Sequence, residues 1–125
     1  GSCVAAIHAG WRGLAAGVIE ETVKCLPVPA AELFAVIGPC ISAERYEVGG
    51  DVLRTLATSI CRPLACDYYT LRTLNLTNIV INILLQRKAK IHGAMVECTN
   101  DDQGAWYSYR RAQMTGRFAG LIAGS

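Results

Sequence analysis

A change of hydrophobic period near the start of the chain restricts its fold more than any other feature. Cys3 to Ile7 is a short unbroken apolar run, the pattern of a strand buried on both faces. From Arg12 the apolar positions fall at helical spacing. Leu14, Ala15, Val18, Ile19, Thr22 and Leu26 mark one face, and Glu20, Glu21 and Lys24 take the other. Burying a strand and then one face of a helix commits the chain to layered α/β packing. Pro27 and Pro29 close this helix, because proline has no amide hydrogen to continue the ladder.

The same alternation continues downstream. Leu33 to Ile37 reads as a second buried strand, stopped by Gly38-Pro39. Val52, Leu53, Leu56, Ala57 and Ile60 form a second amphipathic stripe, which Pro63 prevents from running far. Asn75 is placed to cap a third helix with Leu76, Ile79, Val80, Ile83 and Leu84 on its inner side. Ala94 to Cys98 and Phe118 to Ile122 are the last expected strands, separated by a turn-rich loop from Thr99 to Gly104. This order predicts a mixed α/β (α+β) fold. With 125 residues, 52% of them hydrophobic, the chain suits one domain or part of one. No internal repeat or linker divides it.

Charge and hydropathy exclude several roles. A formal net charge of +2 provides no broad basic field, so neither nucleic acid nor an acidic membrane surface is an expected partner. The basic cluster of Arg87, Lys88 and Lys90 follows a helical pattern, where it complements the helix dipole. The most apolar run, Ile79 to Leu85, is interrupted by Asn82 and falls far short of the roughly 20 residues a membrane span needs. No secretory signal pattern opens the sequence. The six cysteines lack the close pairing of a zinc knuckle or redox motif, and several sit in or beside apolar stretches. Reduced thiols in a cytoplasmic protein are the expectation.

Two clusters carry chemistry. In Ala6-Ile7-His8-Ala9-Gly10-Trp11-Arg12-Gly13, a strand delivers an imidazole to its C-terminal end, glycines permit a tight turn, and a helix begins. Ligand sites in α/β folds gather at that place. His8 there can ligate a metal or move a proton, and Arg12 can bind an anionic group. A lone histidine beside an apolar strand is also a common structural residue, and Trp11 suits packing. The second cluster, Trp106-Tyr107-Ser108-Tyr109-Arg110-Arg111 followed by Thr115-Gly116-Arg117, interleaves aromatic rings with arginines. It can hold a planar, phosphorylated or sugar-bearing ligand, or serve as a solvated loop anchored by its rings. Cys40, in the strand-ending turn, is either a reactive thiol or a buried inert one. His92 reads as a surface or boundary residue. Glu44, Glu47 and Asp51 are close in sequence but form no evident acid–base pair.

The run His8-Ala9-Gly10-Trp11-Arg12-Gly13-Leu14 resembles the signature of the YfiH and YlmD proteins, long named multicopper polyphenol oxidase or laccase-domain proteins. The likeness continues in order through Ile37-Gly38-Pro39-Cys40-Ile41, Tyr46-Glu47-Val48-Gly49 and Cys98-Thr99. It ends with Tyr107-Ser108-Tyr109-Arg110-Arg111 and Thr115-Gly116-Arg117-Phe118-Ala119-Gly120-Leu121-Ile122. The resemblance implies a fold related to cytotoxic-necrotizing-factor-type cysteine hydrolases. It also implies a zinc site of two histidines and one cysteine, in which His8 corresponds to the second histidine. The implied activity is phosphorolysis of adenosine, inosine or methylthioadenosine together with adenosine deamination; copper-dependent oxidation of phenols is the alternative.

On this reading His8 and Arg12 are catalytic, with His8 the metal ligand, and Arg12, Tyr109, Arg110 and Arg111 bind a purine nucleoside and phosphate. The family's other two ligands lie upstream of the segment matching Cys3 to His8, so residues 1–125 correspond to the C-terminal half of the domain. Self-association, or pairing with an N-terminal half, is then expected. A non-catalytic assembly module is the remaining alternative.

Overall fold

The computed structural model describes residues 3–60, 69–70, 72–101 and 105–124. The first helical pattern forms two helices in place of one, α1 (Trp11–Ala15) and α2 (Val18–Cys25). The break falls at Gly17, whose φ of 77° lies in the left-handed region that glycine enters without steric cost. Leu14 and Ile19, on either side of the break, still share one interior and are each 2% exposed. Thr22 donates its hydroxyl back to the Val18 carbonyl at 2.8 Å, which satisfies it inside α2.

After a single 3₁₀ turn at Ala30–Glu32 comes β1 (Phe34–Ile37). A second such turn at Ala43–Arg45 leads toward α3 (Gly50–Ser59), which buries Val52 and Leu56. The short strands β2 (Tyr69–Thr70) and β3 (Thr73–Leu74) pair antiparallel. Then α4 (Leu76–Gln86) begins at Asn75, whose side-chain oxygen accepts the Asn78 amide at 3.0 Å, as the sequence predicts. Lys88, at φ 66°, turns the chain into β4 (Lys90–Ala94), which pairs parallel with β1. The register runs Phe34↔Lys90, Ala35↔Ile91, Val36↔Gly93 and Ile37↔Ala94, with an irregularity between Ala35 and Val36.

Helix faces supply most of the interior. Leu14, Leu56, Leu74 and Ile79 are the largest fully buried side chains, joined by Ile19, Val52, Leu76, Ile83 and Leu84. Full burial of such an aliphatic chain contributes about 1.5–3 kcal/mol relative to exposure. Tyr46 and Val48 are also buried, with Glu47 exposed between them. This alternation sets Tyr46 on the inner side of an extended segment, beside α1.

Several strand expectations need correction, all for one reason: a strand needs a hydrogen-bonded neighbour as well as apolar residues. Cys3–Ile7 has no ladder among the described residues, and residues 4 to 8 are exposed. Phe118–Ile122 is likewise exposed and unpaired. β1 exists but is buried on one side only, with Phe34 68% and Val36 67% exposed. The strand expected at Ala94–Cys98 lies at Lys90–Ala94, where Ile91 and Gly93 turn partly inward between exposed Lys90, His92 and Ala94. That half-exposed alternation is less visible than a continuous apolar run. Cys98 keeps one parallel bridge, to Cys40. Cys61, Pro63, Cys66 and the end of the Thr99–Gly104 loop lie outside the described residues. Among those described, no helix is long and apolar enough to cross a membrane.

Candidate functional site

The extended segment before α1 and the first turn of that helix form one wall of a cleft of about 260 Å³, lined by His8, Gly10, Trp11, Arg12, Gly13 and Tyr46. Gly13 has no side chain, which lets the helix start pack closely here. A Cβ there would stand 3.3 Å from Val18 Cγ1 and 3.7 Å from the His8 carbonyl oxygen. His8 itself is exposed, and its Nε2 lies 3.6 Å from where a Cβ on Gly10 would be, so the imidazole lies over the turn. The Arg12 guanidinium sits over the Trp11 ring, 4.6 Å from its centroid. Trp11 therefore does more than pack: it supports a cation at the cleft.

Tyr46 forms the opposite side, and it is the residue that individual motif reading did not single out. Its signal was the Tyr46-Glu47-Val48 alternation, which buries an aromatic ring opposite the turn. The Arg110 guanidinium lies 5.0 Å from the Tyr46 ring centroid and donates from Nη1 to the Glu47 carbonyl oxygen at 2.8 Å. Two arginines nearly a hundred positions apart in sequence thus act on one phenol. Burial pushes the Tyr46 hydroxyl above the ordinary phenol range, and Arg110 and then Arg12 offset this only in part. The group is a neutral O–H donor at neutral pH.

Other candidates are placed differently. Arg111 donates to two backbone carbonyls, Asp101 at 2.6 Å and Trp106 at 2.5 Å, and so ties two loops together. Ser108, which is buried, points its hydroxyl toward Asn100 Oδ1 at 3.4 Å on the same side. Tyr109 is 69% exposed and does not line the cleft. His92 is exposed, with its ring edge-on to Phe34 at 6.4 Å. Cys40 sits 3.0 Å from the Thr77 hydroxyl, apart from the cleft lining. Glu44 and Asp51 are exposed, and backbone and Ser42 hydrogen bonds hold the Glu44 carboxyl below its ordinary range.

His8 offers a metal one imidazole. Zinc takes at least three protein ligands. Among the described residues no three of histidine, cysteine, aspartate and glutamate group to hold an ion. These residues alone do not complete a zinc site, and the chemistry of the cleft follows from its own side chains: a cation-bearing, aromatic-walled pocket with an imidazole at its rim and a phenol O–H inside.

Comparison with known proteins places the chain in a lineage. A family model described as multi-copper polyphenol oxidoreductase laccase matches residues 1–125. A purine nucleoside phosphorylase of Pseudomonas aeruginosa is 41% identical over 134 aligned residues, covering 98% of this chain and 52% of that protein. Purine nucleoside phosphorylase YfiH of Escherichia coli is 36% identical, covering 98% and 51%. A solved Neisseria meningitidis protein superposes with a TM-score of 0.73 at 34% identity, over 83% of this chain and 44% of that one. The chain spans about half the length of the curated relatives it matches. With a matching family model over all its residues and a shared mixed α/β fold, the chain belongs to the multi-copper polyphenol oxidoreductase laccase family, the family of the YfiH-type proteins.

Proposed function

We propose that the chain serves phosphate-dependent cleavage of purine nucleosides, with the cleft between His8–Gly13 and Tyr46 as its substrate side. One observation carries this reading: Arg12 and Arg110, from distant motif blocks, converge on Tyr46 beside His8. Two guanidinium groups suit the charge and trigonal oxygens of phosphate, which lysines would match less well. Trp11 and Tyr46 offer ring faces to a purine or its sugar. In the proposed reaction a phosphate oxygen attacks the ribose C1′ and the bond from C1′ to the purine nitrogen breaks. The purine leaves with a proton taken up from water. The Tyr46 O–H donates to a phosphate or ribose oxygen, and the arginines hold the anion in line.

The relatives support this class of activity, since those of Pseudomonas aeruginosa and Escherichia coli are named purine nucleoside phosphorylases. Adenosine, inosine and methylthioadenosine are the substrates we assign, with adenosine deamination as a side activity. Dependence on zinc, with copper as the alternative, enters the proposal through His8 as one ligand whose partners lie beyond the residues described. Tyr109 and Arg111 belong to it as outer contacts to the nucleoside, reached once a ligand extends past Arg110.

The test is chromatographic: inosine is incubated with and without phosphate in the presence of the protein that carries these 125 residues. Hypoxanthine and ribose 1-phosphate should appear only with phosphate. Phosphate-independent release of the base, or turnover unchanged in both Arg12→Ala and Arg110→Ala, defeats the assignment.

A further inference from the structure

Where the parallel sheet runs out beyond Ile37 and Ala94, Cys40 and Cys98 meet in a single parallel bridge, closed by the Thr99 amide donating to the Cys40 carbonyl at 2.9 Å. Adjacent strands lie about 4.8 Å apart, and a disulfide spans Cα separations of about 4.4–6.8 Å, so paired residues in register are within bonding reach. Neither thiol is bonded to another sulfur, and both residues are partly exposed. Cys98 Sγ accepts the Ser42 amide at 3.2 Å, which holds it against the segment just past Cys40. Cys40 Sγ rests 3.0 Å from the Thr77 hydroxyl and 3.4 Å from the Ile41 carbonyl oxygen, neutral contacts that a rotation of the side chain exchanges for a sulfur partner.

We propose that Cys40 and Cys98 are a modification site, oxidised by a peroxide to a reversible disulfide, with Cys98 as the attacking sulfur. Charge around the pair favours that order. Burial opposes ionisation of Cys98, but the Ser42 hydroxyl and amide, the Asn100 amide and the Arg45 charge outweigh it and hold the thiol below its ordinary range. The thiolate attacks one peroxide oxygen and the O–O bond breaks. Hydroxide leaves and takes up a proton as water, and Cys98 becomes a sulfenic acid. The Cys40 sulfur then displaces the second oxygen as water, giving the disulfide. Two thiols lose two electrons and two protons, and one peroxide becomes two waters.

The bond joins the 38–42 turn to the 98–101 loop. Arg111 ties that loop to Trp106, and Arg45 donates to its Asn100 carbonyl at 3.1 Å. Oxidation would therefore clamp the segment from which Arg110 reaches Tyr46. This site is separate from the proposed phosphorolysis and stands whether or not that reading holds.

Peptide mapping by mass spectrometry under non-reducing conditions, after hydrogen peroxide treatment of the protein, tests it. One cross-linked pair joining Cys40 to Cys98, lighter by two hydrogens and reopened by dithiothreitol, is expected. Cys98→Ser should abolish the pair, and Cys40→Ser should leave a sulfenic acid on Cys98 that a cyclic 1,3-diketone captures. Pairing of Cys98 with any other cysteine overturns the proposal. So does overoxidation of Cys98 while Cys40 stays a thiol, or a reduced Cys98 at a peroxide dose that oxidises the exposed Cys25. The wild-type map decides this even if a serine variant fails to fold.

Discussion

The His8–Gly13 turn of the cleft and the C-terminal segment that carries Arg110 are built by different physics. The His8–Gly13 turn rests on α1, whose Leu14 is buried with Ile19, Val52 and Leu56 in the helical interior. The segment from Trp106 to Leu121 has almost no such support. Met114 and Leu121 are each 95% exposed, and the ordering contacts are Arg110 and Arg111 donating to backbone carbonyls, Ser108 against Asn100, and Trp106 edge-on to Phe118 at 5.1 Å. One region is positioned by excluded water and the other by charge-assisted hydrogen bonds. Arginines in the second region therefore have a structural duty that must be separated from any role with substrate.

The largest contrast should come from truncating one leucine in each region. Leu56→Ala, at a fully buried position, is expected to destabilise the protein by about 2–5 kcal/mol in urea denaturation. Leu121→Ala should stay within about 0.5 kcal/mol of wild type. Equal losses would mean that the C-terminal segment is packed after all.

Next come the two arginines that converge on Tyr46. Arg12→Ala and Arg110→Ala should each lower kcat/KM for inosine phosphorolysis by the equivalent of about 2–4 kcal/mol if they hold the anion in the transition state. Arg110→Lys, which keeps charge but loses the planar fork, should recover little of this. Rescue by lysine would reduce Arg110 to a point charge.

A smaller effect belongs to the helix cap. Asn75→Ala removes the bond to the Asn78 amide and should cost about 1 kcal/mol of global stability, because α4 presents Ile79 and Ile83 to the core. Arg111→Ala should behave in the opposite way. Hydrogen exchange should quicken around residues 105–112 while the global unfolding midpoint barely moves. A large global loss from Arg111→Ala would erase the distinction between the two regions.

The smallest expected effect concerns pH. Tyr46 has a raised hydroxyl pKa, so the folded state favours the neutral phenol. Its contribution is complete below the unfolded phenol value of about 10 and is lost as pH rises through the higher folded value. The wild-type urea midpoint should therefore fall more steeply across that range than the Tyr46→Phe midpoint does. Parallel slopes would show that the phenol ionises without penalty.

By itself the sequence determined the helical segments and several of their ends, though not the break at Gly17 that divides the first into α1 and α2. The apolar stripes of α3 and α4, the Asn75 cap and the prolines after α2 are local signals, and hydrogen bonds within a helix need no distant partner. It also marked His8 and Arg12, because a strand-like run, a glycine turn and a helix start are contiguous. Tertiary structure alone decided the strands and the completed cleft. Cys3–Ile7 and Phe118–Ile122 look like β1 in composition, yet only Phe34–Ile37 meets a neighbour, and that neighbour lies more than fifty residues away. Arg110 reaches Tyr46, and Arg111 does not, through a loop docking that no spacing rule encodes. Pairing between distant segments depends on what the whole chain buries, which is the information a local pattern lacks.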